Sequence, residues 1–229
     1  MNKDQIKKYI DHTNVKPDAT EKEIKTLCKE AKENGFHSVC VSAFRVKDAR
    51  KFLGDSNKIA LISVIGFPFG FSTTEIKVLE AKRAVKDGAT EIDMVINIGK
   101  VKEHDWGFTK KEILQISKAI APIGLKVIVE VGYLSEEELF KVSKIVKEAG
   151  AKFVKTSTGY GPRPAQLKDI KIMKKAVGDF DIKASGGVRD YKTAEAMIKA
   201  GATRIGTSSG LKIIGKDQKK KKDLSGSNE

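Results

Sequence analysis

The chain is poor in the residues that would mark a secreted, metal-bound or membrane-embedded protein. Only two of its 229 residues are cysteines, Cys28 and Cys40. They show no metal-ligand spacing and read as small buried hydrophobes of a reducing cytosol. No apolar run approaches the roughly 20 residues needed to span a bilayer. The opening Met1-Asn2-Lys3-Asp4-Gln5 lacks the basic-then-apolar layout of a signal peptide, so a cytoplasmic location without a membrane partner is expected. The three histidines, His12, His37 and His104, have no ligand spacing, so no metal site is expected.

Aromatics are scarce as well. With one tryptophan and four tyrosines, the stacking platforms of single-strand nucleic-acid binders are missing. The net charge of +14 would otherwise invite that function. The lysines, however, are spread over almost every helical stretch and interleaved with glutamates, as in Glu21-Lys22-Glu23. That is the pattern of a solvated helix surface rather than of a binding stripe, and it excludes a specific nucleic-acid partner. Small anions such as sugar phosphates suit the charge equally well.

What the chain does have is a repeating unit: a short β-branched run, a turn, then an amphipathic helix. Strands are expected over residues 9–13, 38–41, 59–65, 91–96, 126–131, 153–156, 182–185 and 203–207. The intervening helices are expected over 20–34, 46–53, 72–87, 110–120, 135–148, 164–176 and 191–200, with a short last one after the eighth strand. Thr20 with Glu23, and Ser135 with Glu138, have the spacing of capping boxes. Thr73 or Thr74 could cap the helix after the third strand. Three helices end in a similar phrase, Asp87-Gly88-Ala89, Ala149-Gly150-Ala151 and Ala200-Gly201-Ala202, as tight loops into a following strand require.

Alternating units of this kind imply a parallel sheet with right-handed crossovers. Eight of them, in a chain near the roughly 250 residues typical of that fold, imply a single (β/α)8 TIM barrel. A doubly wound open sheet is the alternative. Against it, no Gly-x-Gly-x-x-Gly follows the first strands. The barrel domain is expected over residues 1–217, and the lysine-rich 218–229 is expected to be a disordered tail.

Strands of a parallel barrel are buried on both faces and should be almost wholly apolar. Asp11, Glu91, Asp93, Glu130, Lys155 and Lys183 break that rule. For Glu91, early in its strand, a structural ion pair is the better reading. Lys155, Lys183 and Asp93 are expected late in their strands, near the mouth where residues of this fold gather for chemistry. Two lysines in one cavity depress each other's protonation, and burial adds to the effect. The neutral amine that results condenses with a carbonyl to a Schiff base, while a carboxylate such as Asp93 can position a water or shuttle a proton.

Two glycine-rich turns complete the picture. Ala184-Ser185-Gly186-Gly187-Val188 follows the seventh strand and Gly206-Thr207-Ser208-Ser209-Gly210 the eighth. They either cradle a phosphate on backbone N–H groups or simply make tight turns; their place after strands seven and eight favours phosphate.

These stretches, with Glu91-Ile92-Asp93-Met94-Val95, Lys155-Thr156-Ser157-Thr158-Gly159, Ile10-Asp11-His12-Thr13 and Ile65-Gly66-Phe67-Pro68-Phe69-Gly70, resemble the deoxyribose-phosphate aldolase family. The resemblance spans about residues 6–215. It implies that Lys155 forms the Schiff base, that Lys183 lowers its pKa, and that Asp93 acts with Lys183 and a water in proton transfer. It implies phosphate contacts at Gly159, Gly186, Gly187, Ser208 and Ser209, and a supporting polar role for Asp11 and Thr13. The implied reaction is reversible cleavage of 2-deoxy-D-ribose 5-phosphate to D-glyceraldehyde 3-phosphate and acetaldehyde, without metal or organic cofactor. A homodimer or larger homo-oligomer is implied too.

The chain departs from the family pattern in places. Asn14-Val15 and Ser42-Ala43 replace more usual residues away from the chemistry. Many relatives also end in a tyrosine that assists proton transfer, whereas this sequence ends in Glu229, so a slower proton-transfer step is expected.

Overall fold

The computed structural model describes residues 1–54 and 58–216; the tail expected over 218–229 lies outside the described residues. Eight strands alternate with helices. They are β1 (Ile10–Asn14), β2 (Ser38–Ser42), β3 (Ala60–Ile65), β4 (Glu91–Val95), β5 (Gly124–Ile128), β6 (Phe153–Lys155), β7 (Asp181–Ser185) and β8 (Arg204–Thr207). Each pairs in parallel with the next, and β8 returns to β1 through Ile10↔Ile205 and Asp11↔Gly206. The sheet is therefore a closed barrel and not an open one.

The helices are α1 (Lys3–Ile6), α2 (Glu21–Asn34), α3 (Val46–Leu53), α4 (Thr74–Lys86), α5 (Ile98–Lys102), α6 (Trp106–Ile120), α7 (Glu136–Glu148), α8 (Leu167–Val177), α9 (Tyr191–Lys199) and α10 (Gly210–Ile213). Local chemistry explains their starts. Both expected capping boxes form, Thr20 with Glu23 and Ser135 with Glu138. Thr73, rather than Thr74, caps α4. Gly35, at φ 65°, closes α2 in the left-handed conformation that a Cβ would penalise.

The apolar stripe of each long helix, such as Ile24, Leu27, Cys28 and Ala31 on α2, meets the outer faces of the strands in one continuous core. Both thiols are buried, and burial pushes that of Cys28 up to about 11. A separate small cluster of Cys40, Ile62 and Val64 packs apart from the main core, with Val15 and Phe67 laid over it.

Several expected boundaries move, each for a physical reason. Tyr9 belongs to a 3-10 turn before β1. Residues 98–120 hold two helices, because His104 takes a positive φ of 57° and Asp105 then accepts from the Phe108 N–H to start α6 afresh. The stretch at Pro164 is not yet helical. Ala165 donates to the Gly186 carbonyl, and α8 begins after Gln166, whose N–H is held by Asp169. The fifth strand begins at Gly124 and ends at Ile128, two residues earlier than expected at its start. Glu130 thus falls outside the sheet, in left-handed backbone at φ 55°.

Candidate active site

The fifth-strand shift matters most at the centre of the barrel. With β5 starting at Gly124, Lys126 is mid-strand and registers directly with Asp93 of β4. Lys155 and Lys183 register with each other on β6 and β7. Asp93 and Lys183 are each the third of five residues in their strands, so they lie in the middle layer rather than late as expected. Lys155, the last residue of β6, is at the strand end.

These side chains meet. Asp93 Oδ2 is 2.7 Å from Lys155 Nζ and 2.7 Å from Lys183 Nζ, and its Oδ1 is 3.1 Å from Lys126 Nζ. Lys183 Nζ is also 2.5 Å from Asp11 Oδ2. Asp11 Oδ1 accepts from Ser38 Oγ at 2.6 Å and from Arg204 Nη1 at 3.2 Å. Lys126 pairs with Glu91, as the structural reading of that glutamate expects, and its ammonium lies 5.5 Å over the Phe153 ring. Asp11 is therefore more than a supporting polar group: it is the second counter-ion of Lys183.

The cluster holds four basic groups (Lys126, Lys155, Lys183 and Arg204) against three carboxylates (Asp11, Glu91 and Asp93). A buried set with one cation in excess is costly, and releasing one proton neutralises it. Lys155 is the amine pushed towards releasing it. Burial holds its pKa below the ordinary 10.5, and the Lys183 ammonium adds to that against the pull of Asp93. Lys183 is shifted the other way: burial acts downward, but Asp11 and Asp93 together outweigh it and keep the amine charged. Asp93 and Asp11 are held well below the usual carboxylate range, because neighbouring cations overcome the effect of burial.

The sign of the Lys155 shift has a consequence for pH. Keeping Lys155 protonated inside the fold costs stability below its folded pKa, and that cost disappears as pH rises towards 10.5. The reactive neutral amine grows over the same limb. In Lys183→Met, Lys155 loses the neighbouring cation but keeps Asp93. Its imine-forming limb, followed as the rate of reductive trapping with acetaldehyde against pH, is expected to move up by about one pH unit or more. An unmoved limb would show that Lys183 does not set the Lys155 pKa.

Above the cluster opens a cleft of about 440 Å³ at the mouth of the barrel. Among the four basic groups only Lys155 lines it; Asp93 and Lys183 lie just below the floor, fully buried. Its far wall carries Gly159, Gly186, Gly187 and Ser208, and Lys16 and Arg189 add positive charge. The three glycines have φ of 92°, 86° and 90°. A Cβ on Gly187 would sit 2.5 Å from that of Pro164, so only a bare backbone fits there. Ser209 is not part of the wall; it sits one residue back and donates its N–H to Thr207 Oγ1. Thr13 lines the cleft and donates to the Asp11 carbonyl. Of the histidines, His12 pairs with Glu30 at 2.7 Å and packs on Phe36, and His104 is largely exposed. Among the described residues, no group of three or more histidine, cysteine or acidic side chains could hold a metal ion.

Sequence reasoning missed Lys126 and Arg204. Lys126 was masked by its apparent position at the edge of a strand, where a lysine reaches water. Its signal was the clean apolar run on both sides, which a shift of two residues turns into a buried charge.

Comparison with known proteins points to one family and one fold. A family model described as DeoC/LacD family aldolase matches residues 6–216. The deoxyribose-phosphate aldolase of Thermococcus kodakarensis is 52% identical over 218 residues, covering 93% of this chain and 97% of the relative. A solved aldolase at 44% identity superposes with a TM-score of 0.87, over 91% of this chain and 94% of its own. The deoxyribose phosphate aldolase of Aeropyrum pernix, described as a tetramer, is 30% identical with a TM-score of 0.84, over 93% and 91%.

Proposed function

The chain belongs to the DeoC/LacD family of aldolases, and from that premise we propose that its cleft splits 2-deoxy-D-ribose 5-phosphate reversibly into D-glyceraldehyde 3-phosphate and acetaldehyde. The observation that carries the assignment of roles is the single carboxylate shared by three lysines, of which only Lys155 opens to the cleft.

In this reading the lone pair of neutral Lys155 Nζ adds to the C1 aldehyde of the open-chain sugar, and loss of water gives an iminium. The C3 hydroxyl then gives up its proton, the C2–C3 bond breaks, and its electron pair becomes the C1–C2 double bond of an enamine while the C=N pair returns to nitrogen. D-Glyceraldehyde 3-phosphate leaves. Protonation at C2 and addition of water to the iminium release acetaldehyde and return the amine. The iminium is itself the electron sink, so these steps call on no metal or organic cofactor.

Asp93 and charged Lys183 serve the proton steps. The carboxylate is within hydrogen-bond reach of both amines, so a proton can pass through a water between Lys183, Asp93 and the reacting carbons. Asp11 holds Lys183 charged. The phosphate is assigned to the backbone of Gly159, Gly186, Gly187 and Ser208, with Arg189 and Lys16 as nearby positive charge.

Two further parts of the reading rest on the surface and the thiols. A homo-oligomer is supported by exposed Phe69, Phe71, Ile76 and Leu79 around the start of α4, where Phe69 and Phe71 stack at 5.5 Å. A cytoplasmic place of work is supported by two free thiols, both buried.

The test is product analysis by proton NMR. Incubated with 2-deoxy-D-ribose 5-phosphate, the protein is expected to yield equal amounts of acetaldehyde and D-glyceraldehyde 3-phosphate. Inactivity on that sugar, together with turnover of fructose phosphates, would place it with a different Schiff-base aldolase.

A further inference from the structure

Glu130 is a buried carboxylate that the proposed chemistry does not use, and three independent features single it out. It is one of two non-glycine residues with positive φ among the described residues, at φ 55° and ψ 69°, a conformation a glutamate adopts only when its surroundings hold it there. It is 1% exposed. Its two oxygens are unequally employed. Oε2 accepts from both the backbone N–H of Thr158, at 3.0 Å, and the Thr158 hydroxyl, at 2.5 Å. Oε1 is buried without a hydrogen-bond partner. A carboxylate in strained backbone with one oxygen unsatisfied is a poor device for stability alone.

What it holds is a wall of the cleft. Thr158 Oγ1, bound to Glu130, in turn accepts from the Tyr160 N–H at 3.0 Å, which fixes the turn through Gly159. Tyr160 then reaches across the mouth, donating its hydroxyl to the Val15 carbonyl at 3.2 Å and meeting Phe67 edge-on at 5.6 Å. Thr158, Gly159, Tyr160, Val15 and Phe67 all line the cleft, whereas Glu130 does not. The neighbouring chain is shaped around the carboxylate. A Cβ at Gly161 would lie 2.6 Å from Oε1, so any larger residue there would push the carboxylate from its place. Below the same loop, Val129 and Val131 donate to the carbonyls of Lys155 and Thr156, tying the Glu130 backbone to the nucleophile's strand.

We propose that Glu130 is a positioning residue for the substrate phosphate: it sets the Thr158–Gly159–Tyr160 strap at the height the phosphate needs, and leaves imine chemistry at Lys155 untouched. The inference rests on the aldolase reading and extends it to a residue outside the cleft. Anchoring by a buried acceptor oxygen holds the strap in place without costing the substrate the ordering of that loop.

The test compares wild type, Glu130→Gly and Glu130→Gln on 2-deoxy-D-ribose 5-phosphate and on unphosphorylated 2-deoxy-D-ribose, with the rate of acetaldehyde trapping at Lys155 as control. Glycine is chosen because it takes left-handed backbone freely, so the variant removes the anchor without adding strain. Glu130→Gly is expected to raise KM for the phosphorylated sugar about tenfold or more. Its kcat, its kcat/KM on the unphosphorylated sugar and its trapping rate should stay within about threefold of wild type. Glu130→Gln keeps an oxygen on Thr158 and should restore the low KM. An unchanged KM, equal losses on both sugars, a glutamine variant as impaired as the glycine one, or a Glu130→Gly chain that fails to fold would each overturn the proposal. Wild type that does not trap acetaldehyde would instead sink the aldolase reading itself.

Discussion

Lys155→Met is expected to abolish turnover of 2-deoxy-D-ribose 5-phosphate, by about 10⁵-fold or more, as loss of a covalent nucleophile does elsewhere. The cleft's other lining amine, Lys16, lies outside the buried charge cluster around Asp93 and is not placed to take over. The same change should leave the fold intact or firmer. Lys155 is 5% exposed, and its removal brings three basic groups into balance with three carboxylates. Steady-state assays and urea unfolding on one preparation check both halves. A variant with a tenth of wild-type activity would move the nucleophile elsewhere, and a large loss of stability would mean that Lys155 serves as a structural cation.

Asp93→Leu should do the opposite to the fold. Its carboxylate is the shared partner of Lys126, Lys155 and Lys183, all buried. Leucine leaves three amines facing one another, with Lys183 and Lys126 falling back on Asp11 and Glu91 alone. Breaking a buried ion pair from one side costs roughly 3–5 kcal/mol, and here three pairs break together. Urea unfolding should therefore show destabilisation of at least about 3 kcal/mol, greatest at low pH where all the amines are charged. Activity should fall by about 10²- to 10⁴-fold from loss of the proton relay. A second change, Lys126→Met, removes one stranded cation and should recover part of the stability. Asp93→Leu as stable as wild type would contradict the charge balance on which the Lys155 shift depends.

Both predictions concern residues whose importance could be read before any coordinates. Lys155 and Lys183 stood out because a charged residue inside a short apolar run must be explained in a barrel whose strands are buried on both faces. The eight-fold alternation gave the closed barrel, and the two glycine-rich turns after the last strands gave one wall of the cleft. The remainder was hidden by strand boundaries and by contacts distant in sequence. A start placed two residues late at β5 turned Lys126 from a core charge into an apparent edge residue, and an end placed three residues late left Glu130 looking like part of a strand. That Asp11 is the second counter-ion of Lys183 depends on closure of β1 against β8, which pairs Ile10 with Ile205 and Asp11 with Gly206 across nearly the whole chain and has no local signature. The hold of Glu130 on Thr158, 28 residues on, is equally invisible to periodicity.

The central claim is that one amine among many opens to the cleft, is held below its ordinary pKa, and is the nucleophile. It is tested most directly by reducing the protein with borohydride in the presence of acetaldehyde and mapping the adduct by mass spectrometry of the digested chain. The account predicts one rapidly formed ethyl group, on Lys155, with Lys183 and Lys126 unmodified. No adduct at Lys155, or a faster one on Lys183, would contradict it.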